Sequence, residues 1–199
     1  MARMSEDAAQ LLQRRLEDSL AIKHDMLKSE CIPQAASAAS AMVAALRAGG
    51  KVLFFGNGGS SMDAGHLAAE LAGRFYCDRP GLAAVSLADG TASMTAIAND
   101  YAYAEVFARQ VRALGRPGDV AVGLTTSGNS ENVVSALTAA REARLTTVVL
   151  TGSSGGKAAA AADICIRVPT EDTPRVQEAC LHLGHTICEI VEREMFPET

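Results

Sequence analysis

Short apolar runs that lead into glycine-rich or hydroxyl-rich loops are the feature that most constrains the fold of this chain. The first run, residues 51–55, ends at Gly56 and is followed by Asn-Gly-Gly-Ser-Ser at 57–61. Helical patterns or turn residues separate it from four further runs, at residues 82–87, 120–124, 146–150 and 164–168. Such runs are typical of buried parallel strands, and their alternation with helices requires right-handed crossovers. The sequence therefore predicts an α/β fold, with five parallel strands in a doubly wound sheet flanked by helices.

Helical spacing of apolar residues predicts the remaining elements. Two helices, at residues 7–27 and 33–47, precede the first strand. Further helices are predicted at residues 60–74, 101–114, 130–143 and 156–161. A long last helix follows Pro174, and its wide apolar stripe should pack against the body of the protein or a partner subunit. The length of 199 residues suits a single domain, 1–199, in which residues 1–48 form an N-terminal helical extension.

Composition excludes several classes of protein. The net charge of −5 argues against nonspecific nucleic-acid binding, which needs a basic surface. The five cysteines include no Cys-x-x-Cys pair, so neither a disulfide framework nor a thiolate zinc site is indicated. No stretch is apolar for long enough to span a bilayer, and the amino terminus does not resemble a targeting segment. We expect a cytoplasmic protein that binds neither nucleic acid nor membranes.

Two loops that follow strands are candidate anion sites, because open α/β sheets bind ligands at the carboxyl ends of their strands. The loop at 57–61 leads into a helix start, where backbone N–H groups favour an anion. Ser61 takes the place of the third glycine in a dinucleotide fingerprint, which argues against NAD. Residues 152–157 are not a P-loop, because Thr151 and Ala158 occupy its first-glycine and Ser/Thr positions.

The second candidate loop follows the third apolar run and is rich in hydroxyl groups, as Thr125-Thr126-Ser127-Gly128-Asn129-Ser130. Hydroxyl and N–H donors can neutralise a phosphate without arginine or a metal, whereas the simpler alternative is an ordinary helix N-cap at Ser130. A cap needs only one hydroxyl, and a second anion-suited loop is expected at the same sheet edge. We therefore predict a phosphorylated ligand.

Two helices carry candidate catalytic side chains. His66 and Glu70 are four residues apart and project from one face of a helix that is otherwise nearly apolar. Gln177 and His185 are eight residues apart, about 80° around the last helix, so they share a broad face. A surface His/Glu pair and a structural histidine are the simpler alternatives, and His182 competes with His185. His, Glu and His together make a credible zinc site.

The strand-loop-helix segments GNGGSS and TTSGNSENV resemble the sugar isomerase (SIS) domain. Three more specific segments are similar to the phosphoheptose isomerase family: DAGHLAAELAGRF (63–75), AIANDYAYAEVFARQV (96–111) and VQEACLHLGH (176–185). The resemblance spans almost the whole chain. It implies an aldose–ketose isomerase that converts D-sedoheptulose 7-phosphate to D-glycero-D-manno-heptose 7-phosphate through an enediol. It also implies the first step of nucleotide-activated heptose biosynthesis, as for ADP-heptose and lipopolysaccharide.

The resemblance also implies the site residues and the assembly. Positions matching His66, Glu70, Gln177 and His185 surround one zinc ion per subunit in the family, and Glu70 and His185 are the acid/base pair. Substrate contacts carry over to twelve positions: Asn57, Gly58, Gly59, Ser60, Glu70, Asn99, Asp100, Thr125, Thr126, Ser127, Ser130 and Gln177. The family assembles as homotetramers whose sites are shared between subunits.

This chain departs from the family pattern on the last helix. Cys180 replaces a histidine of some relatives, Pro174 stands where others have an aspartate, and Asp172 could supply that carboxylate. Two alternatives to the proposed enzyme stay open. One is a non-catalytic SIS protein that binds a phosphosugar or the replication initiator, and the other is an isomerase for another phosphosugar, such as an aldopentose phosphate. The joint presence of Glu70, Gln177 and His185 favours the isomerase over the non-catalytic protein.

Overall fold

A parallel sheet forms the centre of the protein. The computed structural model describes residues 7–197 and contains five strands: β1 Val52–Gly56, β2 Ala84–Ser86, β3 Val120–Thr125, β4 Thr146–Thr151 and β5 Ile164–Arg167. The strands lie in the order β2-β1-β3-β4-β5, and every neighbouring pair is parallel. Each strand falls within, or within one residue of, an apolar run identified from the sequence. The predicted doubly wound α/β fold is confirmed.

Eight α-helices surround the sheet in the described part of the chain: α1 Ala8–Met26, α2 Cys31–Arg47, α3 Gly59–Ala72, α4 Thr91–Asp100, α5 Ala108–Leu114, α6 Glu131–Glu142, α7 Gly156–Ala161 and α8 Thr173–Met195. The two helices expected before the first strand and the long last helix are all present. Among these helices, none is both long enough and apolar enough to cross a membrane.

Alternating side chains of each strand divide the core into two layers. Along β1, Val52 and Phe54 pack with residues of α2, α3 and α8. Leu53 and Phe55 point to the opposite face, where they pack with residues of α5 and α6. This alternation follows from the two-residue period of a strand. Because both faces are covered, β1 is apolar at every position that precedes its terminal glycine.

The prediction of one helix over residues 101–114 was wrong for the first half of that segment. The chain instead forms α4, which ends at Asp100, then a short 3-10 helix at Tyr103–Glu105, and finally α5. None of the ten described residues of α4 is fully buried, and its apolar stripe is short, consisting of the partly buried Met94, Ile97 and Ala98. Between the 3-10 helix and α5, Val106 and Phe107 are buried in the core, and the chain bends to place them there.

The topology opens a crevice at the carboxyl edge of the sheet. From β1 the chain crosses to β2 on one side, whereas its other neighbour is β3. In doubly wound sheets the point where the strand order reverses leaves a cleft outside the carboxyl ends of the strands, and ligands bind there. The loops that follow β1 and β3 therefore flank the same cleft.

An ion pair joins β1 to β3 at the opposite edge of the sheet. The Lys51 ammonium donates to the buried Asp119 carboxylate at 2.6 Å, and the Lys51 and Arg116 N–H groups donate at 2.9 and 2.8 Å. Burial acts to raise the pKa of Asp119, but the hydrogen bonds from Lys51 and Arg116 outweigh it and hold the pKa below its ordinary value. Asp119 is therefore a charged anchor far from the cleft.

Asp119→Asn should lower the free energy of unfolding at pH 7 by about 1–3 kcal/mol, because three donors lose a charged acceptor. The folded-state pKa lies below the unfolded value of about 3.9. The stabilisation is therefore present above that value and is lost as the pH falls through the folded-state pKa. Urea denaturation measures the free energy of unfolding of wild type and Asp119→Asn across this pH range, and the difference between them should shrink as the pH falls. A difference that stays constant would contradict a charged, hydrogen-bonded Asp119.

Candidate active site

The loop that follows β1, residues 56–61, is called the glycine loop here. A Cβ on Gly56 would lie 2.7 Å from the Ser60 carbonyl and 3.0 Å from the Leu124 carbonyl, so only glycine lets the loop fold back against β3. Gly58 precedes α3 with a φ of 55°, a conformation that favours glycine. The loop thus presents backbone at the start of α3, where an anion is stabilised by the helix dipole.

The loop that follows β3, residues 125–130, is called the hydroxyl loop. Thr125 Oγ1 and Ser130 Oγ lie 3.0 Å apart, and the Asn129 N–H donates to Ser127 Oγ at 3.2 Å. Ser130 occupies the N-cap position of α6, yet within residues 7–197 its side chain makes no capping hydrogen bond. The simple N-cap explanation therefore does not account for this hydroxyl. It forms a hydrogen bond with the Thr125 hydroxyl instead.

Side chains tie the two loops together, and the sequence reasoning missed two of them, Asn132 and Tyr103. The amides of Asn57 and Asn132 exchange two hydrogen bonds of 2.8 Å, and the Tyr103 hydroxyl donates to Asn57 Oδ1 at 3.0 Å. Asn132 is almost fully buried at the start of α6, where an asparagine needs such partners. The position of Asn132 two residues after Ser130 could have indicated from the sequence that it lies at this loop. No sequence signal indicates the contact of Tyr103, because that contact depends on the bend before α5.

A third loop, residues 152–157, packs against the hydroxyl loop. Gly128 has a φ of 68°, and a Cβ there would overlap the carbonyl of Gly155. The Ala158 N–H donates to the Gly128 carbonyl at 2.9 Å, and the Lys157 N–H donates to Asn129 Oδ1 at 3.2 Å. The glycine-rich segment that is not a P-loop therefore sets the shape of the hydroxyl loop.

A His-Glu-His cluster lies where α3 packs on α8. His66 Nε2 is 2.9 Å from Glu70 Oε1 and 3.2 Å from His185 Nε2. The helices approach closely because residue 184 is glycine: a Cβ there would lie 2.7 Å from the Leu67 side chain. The i,i+4 spacing on α3 and the position of His185 on α8 thus converge on one point, as the sequence indicated.

The cluster has the donor set and spacing of a zinc site. One ligand atom from each of His66, Glu70 and His185 lies within 4.8 Å of the others. Two ligands of a tetrahedral zinc ion at about 2.0–2.1 Å lie roughly 3.3 Å apart, close to the separation of the two imidazole nitrogens. A single hydrogen on His66 Nε2 cannot serve Glu70 and His185 equally well, whereas a cation would satisfy all three groups. The residues fit the metal.

Three other predicted site residues have contacts of their own outside this cluster. Gln177 is two turns before His185 on α8, and its Nε2 would be 2.6 Å from a Cβ on Gly59, so it contacts the start of α3. Asn99 and Asp100 are exposed at the end of α4, where the Asn99 amide donates to the Asp100 carboxylate at 2.9 Å. Gln177 therefore borders the glycine loop, and its role as a metal ligand stays a prediction.

Electrostatics around the cluster involve one more carboxyl group, which the sequence reasoning also missed. Burial raises the pKa of Asp63, although the charges of His66 and His185 act to lower it. Asp63 is half-buried one turn before His66 on α3.

On α8, burial first and then the charge of Asp63 raise the pKa of the Cys180 thiol to about 12. Cys180 is therefore a neutral thiol and cannot carry protons as a histidine would, and Asp172 is exposed at the helix start.

Comparison with known proteins agrees with this architecture. Residues 17–152 match the family described as the SIS domain. A phosphoheptose isomerase of Rhodospirillum rubrum is 52% identical over 163 residues, which cover 82% of this chain and 87% of the relative. The chain belongs to the phosphoheptose isomerase family of SIS domain proteins.

Solved structures support the same assignment. The phosphoheptose isomerase GmhA from Neisseria gonorrhoeae is 41% identical, with a TM-score of 0.87, over 92% of this chain and 98% of that one. A phosphoheptose isomerase from Francisella tularensis is 36% identical, with a TM-score of 0.91, over 94% of this chain and 100% of that one. The resemblance inferred from the sequence motifs is confirmed.

Proposed function

We propose that this protein is an aldose–ketose isomerase that converts D-sedoheptulose 7-phosphate to D-glycero-D-manno-heptose 7-phosphate through an enediol. The observation that carries the proposal is the His66-Glu70-His185 cluster, since it brings a carboxylate and two imidazoles together on a phosphoheptose isomerase fold. Such an enzyme is an intramolecular oxidoreductase, because C1 is oxidised while C2 of the same molecule is reduced. The reaction starts nucleotide-activated heptose biosynthesis, such as that of ADP-heptose for lipopolysaccharide.

The phosphate is proposed to bind at the hydroxyl loop. Thr125 and Ser130 already place two hydroxyl oxygens 3.0 Å apart, and Thr126 and Ser127 add further donors to the same loop. Holding the phosphate orients the far end of the sugar and so places the reacting carbons. All twelve residues named from the family resemblance remain proposed contacts to the substrate as a whole, not only to its phosphate.

Gly128→Ala should raise the KM for sedoheptulose 7-phosphate about tenfold or more, with a smaller effect on kcat. A Cβ there overlaps the Gly155 carbonyl, so the hydroxyl loop must shift. Each tenfold loss of affinity corresponds to about 1.4 kcal/mol, within what one misplaced phosphate contact costs. Steady-state kinetics measure it. Gly49→Ala is the control, because Gly49 also has a positive φ but has no atom near its missing Cβ. An equal rise in both variants would contradict the role of the loop.

Glu70 is the proposed base. It removes a proton from C1 of the open-chain ketose, the C1–C2 double bond of the enediol forms, and O2 takes up a proton. Glu70 then returns its proton to C2 while O1 gives up its own, which leaves the aldehyde at C1. His185 moves the protons among O1, O2 and the ring oxygen. Positioned acid/base groups of this kind commonly contribute about 10²–10⁴ in rate.

Glu70→Gln should reduce kcat by about 10³-fold or more, because the amide keeps the shape of the side chain but cannot accept the proton. NMR of the conversion of sedoheptulose 7-phosphate measures the rate, and circular dichroism checks that the variant is folded. Glu142→Gln, an exposed carboxylate at the end of α6, serves as the matched control. Substantial turnover by Glu70→Gln would refute the role of Glu70 as the base.

A zinc ion is proposed to bind His66, Glu70 and His185, with Gln177 as the fourth ligand named by family resemblance. When bound, zinc supplies a Lewis acid that polarises a carbonyl oxygen. The protein's own part is to hold the ligands in place. His66 and Glu70 share one face of α3, and His185 meets them across the close α3–α8 contact.

His66→Ala should weaken Zn²⁺ binding by about 100-fold or more, because loss of even a supporting contact typically costs a metal site 10- to 100-fold. Competition with a chromophoric chelator measures the affinity without any turnover. His182→Ala is the control, since this exposed histidine lies one turn before His185 but outside the cluster. Equal zinc affinity in wild type and His66→Ala would rule out this site.

The assembly is proposed to be a cytoplasmic homotetramer with sites shared between subunits. Leu12, Leu16 and Leu20 form a stripe on α1 and are 73%, 63% and 59% exposed. Exposed leucines at this spacing favour burial against another chain. Light scattering at micromolar concentration tests the assembly, and a stable monomer would reject it.

Turnover separates the proposed enzyme from the two alternatives raised by the sequence. A non-catalytic SIS protein would not convert sedoheptulose 7-phosphate even with metal supplied. An isomerase for another phosphosugar would favour a different member of a substrate panel that includes aldopentose phosphates. The intact His-Glu-His cluster favours the heptose isomerase over the non-catalytic protein.

A further inference from the structure

A buried ion pair lies at the end of α3, in contact with the backbone of Glu70. Arg79 Nε donates to Glu192 Oε2 at 2.9 Å, and the two side chains are 0% and 3% exposed. Burying two charges is costly unless their remaining hydrogen-bonding groups are satisfied. The partners that satisfy this pair therefore indicate what the pair holds in place.

The guanidinium of Arg79 binds the end of α3. Its Nη2 donates to the Glu70 carbonyl at 2.8 Å, and its Nη1 donates to the Leu71 and Gly73 carbonyls at 2.7 and 3.0 Å. The last carbonyls of a helix have no partner within the helix and otherwise leave the final turn free to fray. Arg79 thus fixes the turn from which the Glu70 side chain projects.

The carboxylate of Glu192 binds the segment that follows α3. It accepts the N–H groups of Phe75, Tyr76 and Cys77 at 3.0, 2.7 and 3.1 Å. Burial acts to raise the pKa of Glu192, but these N–H groups and Arg79 outweigh it and hold the pKa below its ordinary value. The carboxylate therefore stays charged and keeps this backbone in place.

The segment held by Glu192 reaches the other half of the cluster. The Phe75 ring packs against the His185 imidazole with 5.9 Å between centroids. Glu192 itself lies two turns after His185 on α8. One ion pair is therefore connected to Glu70 through its backbone and to His185 through Phe75 and the shared helix.

We propose that Arg79 and Glu192 are positioning residues for the isomerisation, which hold Glu70 and His185 in place for proton transfer to and from the substrate. The inference rests on the proposed roles of Glu70 and His185. A buried ion pair is weak evidence for stability, since apolar residues of similar volume often replace one at no cost. A misplacement of about 1 Å, in contrast, can cost a reaction 10²-fold.

The test compares kcat and KM for sedoheptulose 7-phosphate in Arg79→Met and Glu192→Gln, each assayed well below its own Tm. We expect kcat to fall about 10- to 100-fold while KM stays within about threefold, because the phosphate site is untouched. Asp119→Asn is the matched control, as it also removes a buried charge, but one that is paired with Lys51 and Arg116 and not with α3 or α8. Its kcat should stay within about twofold of wild type although its stability falls.

Two results would overturn the proposal: unchanged kcat in both variants, or an equal loss of kcat in Asp119→Asn. If Arg79→Met does not fold, Phe75→Leu tests the proposal instead. This change removes the ring that packs against His185 but keeps the backbone N–H that donates to Glu192. An unchanged kcat in Phe75→Leu would then reject the proposal. Failure of the underlying proposals gives different outcomes: the wild type would show no turnover if the function were wrong, and Glu70→Gln would show normal turnover if the role of Glu70 were wrong.

Discussion

Parallel pairing of β1 with β3 is the interaction on which the rest of the structure depends. The pairing runs from Val52 opposite Val120 to Gly56 opposite Leu124, and both strands are fully buried. Because both strands end at the same edge, the glycine loop and the hydroxyl loop meet across one cleft. The Asn57–Asn132 amide pair then joins the loops directly. The proposed phosphate site requires this adjacency and could not form if another strand lay between β1 and β3.

The second constraint is the close contact of α3 with α8, because it brings the proposed catalytic groups together. Gly184 lets the helices approach at Leu67, and His185 consequently meets His66 and Glu70. α3 begins at the glycine loop and carries Glu70 near its other end, so one helix joins this loop to the proposed base. Arg79 and Glu192 complete the arrangement by fastening the last turn of α3 to α8.

Local patterns predicted the parts of the fold that bury an uninterrupted apolar run. All five strands and both loops lie where the sequence indicated, because a buried strand needs apolar side chains on both faces. The same reasoning failed at α4, whose apolar stripe is only three partly buried residues long. It also missed Arg79, since a buried arginine is recognisable only from partners such as Glu192, which is 113 residues away in the chain.

By itself, the sequence determined the α/β class, the family and the spacing of His66 and Glu70, because these depend on residues close together in the chain. Motif resemblance extended the site to His185, while the sequence alone could not choose between a surface pair and a catalytic cluster. Only the tertiary structure decided that His185 lies 3.2 Å from His66 and that Gln177 borders Gly59. The physical reason is that distances between helices are set by packing, here by a single glycine on α8, and packing depends on residues far apart in sequence.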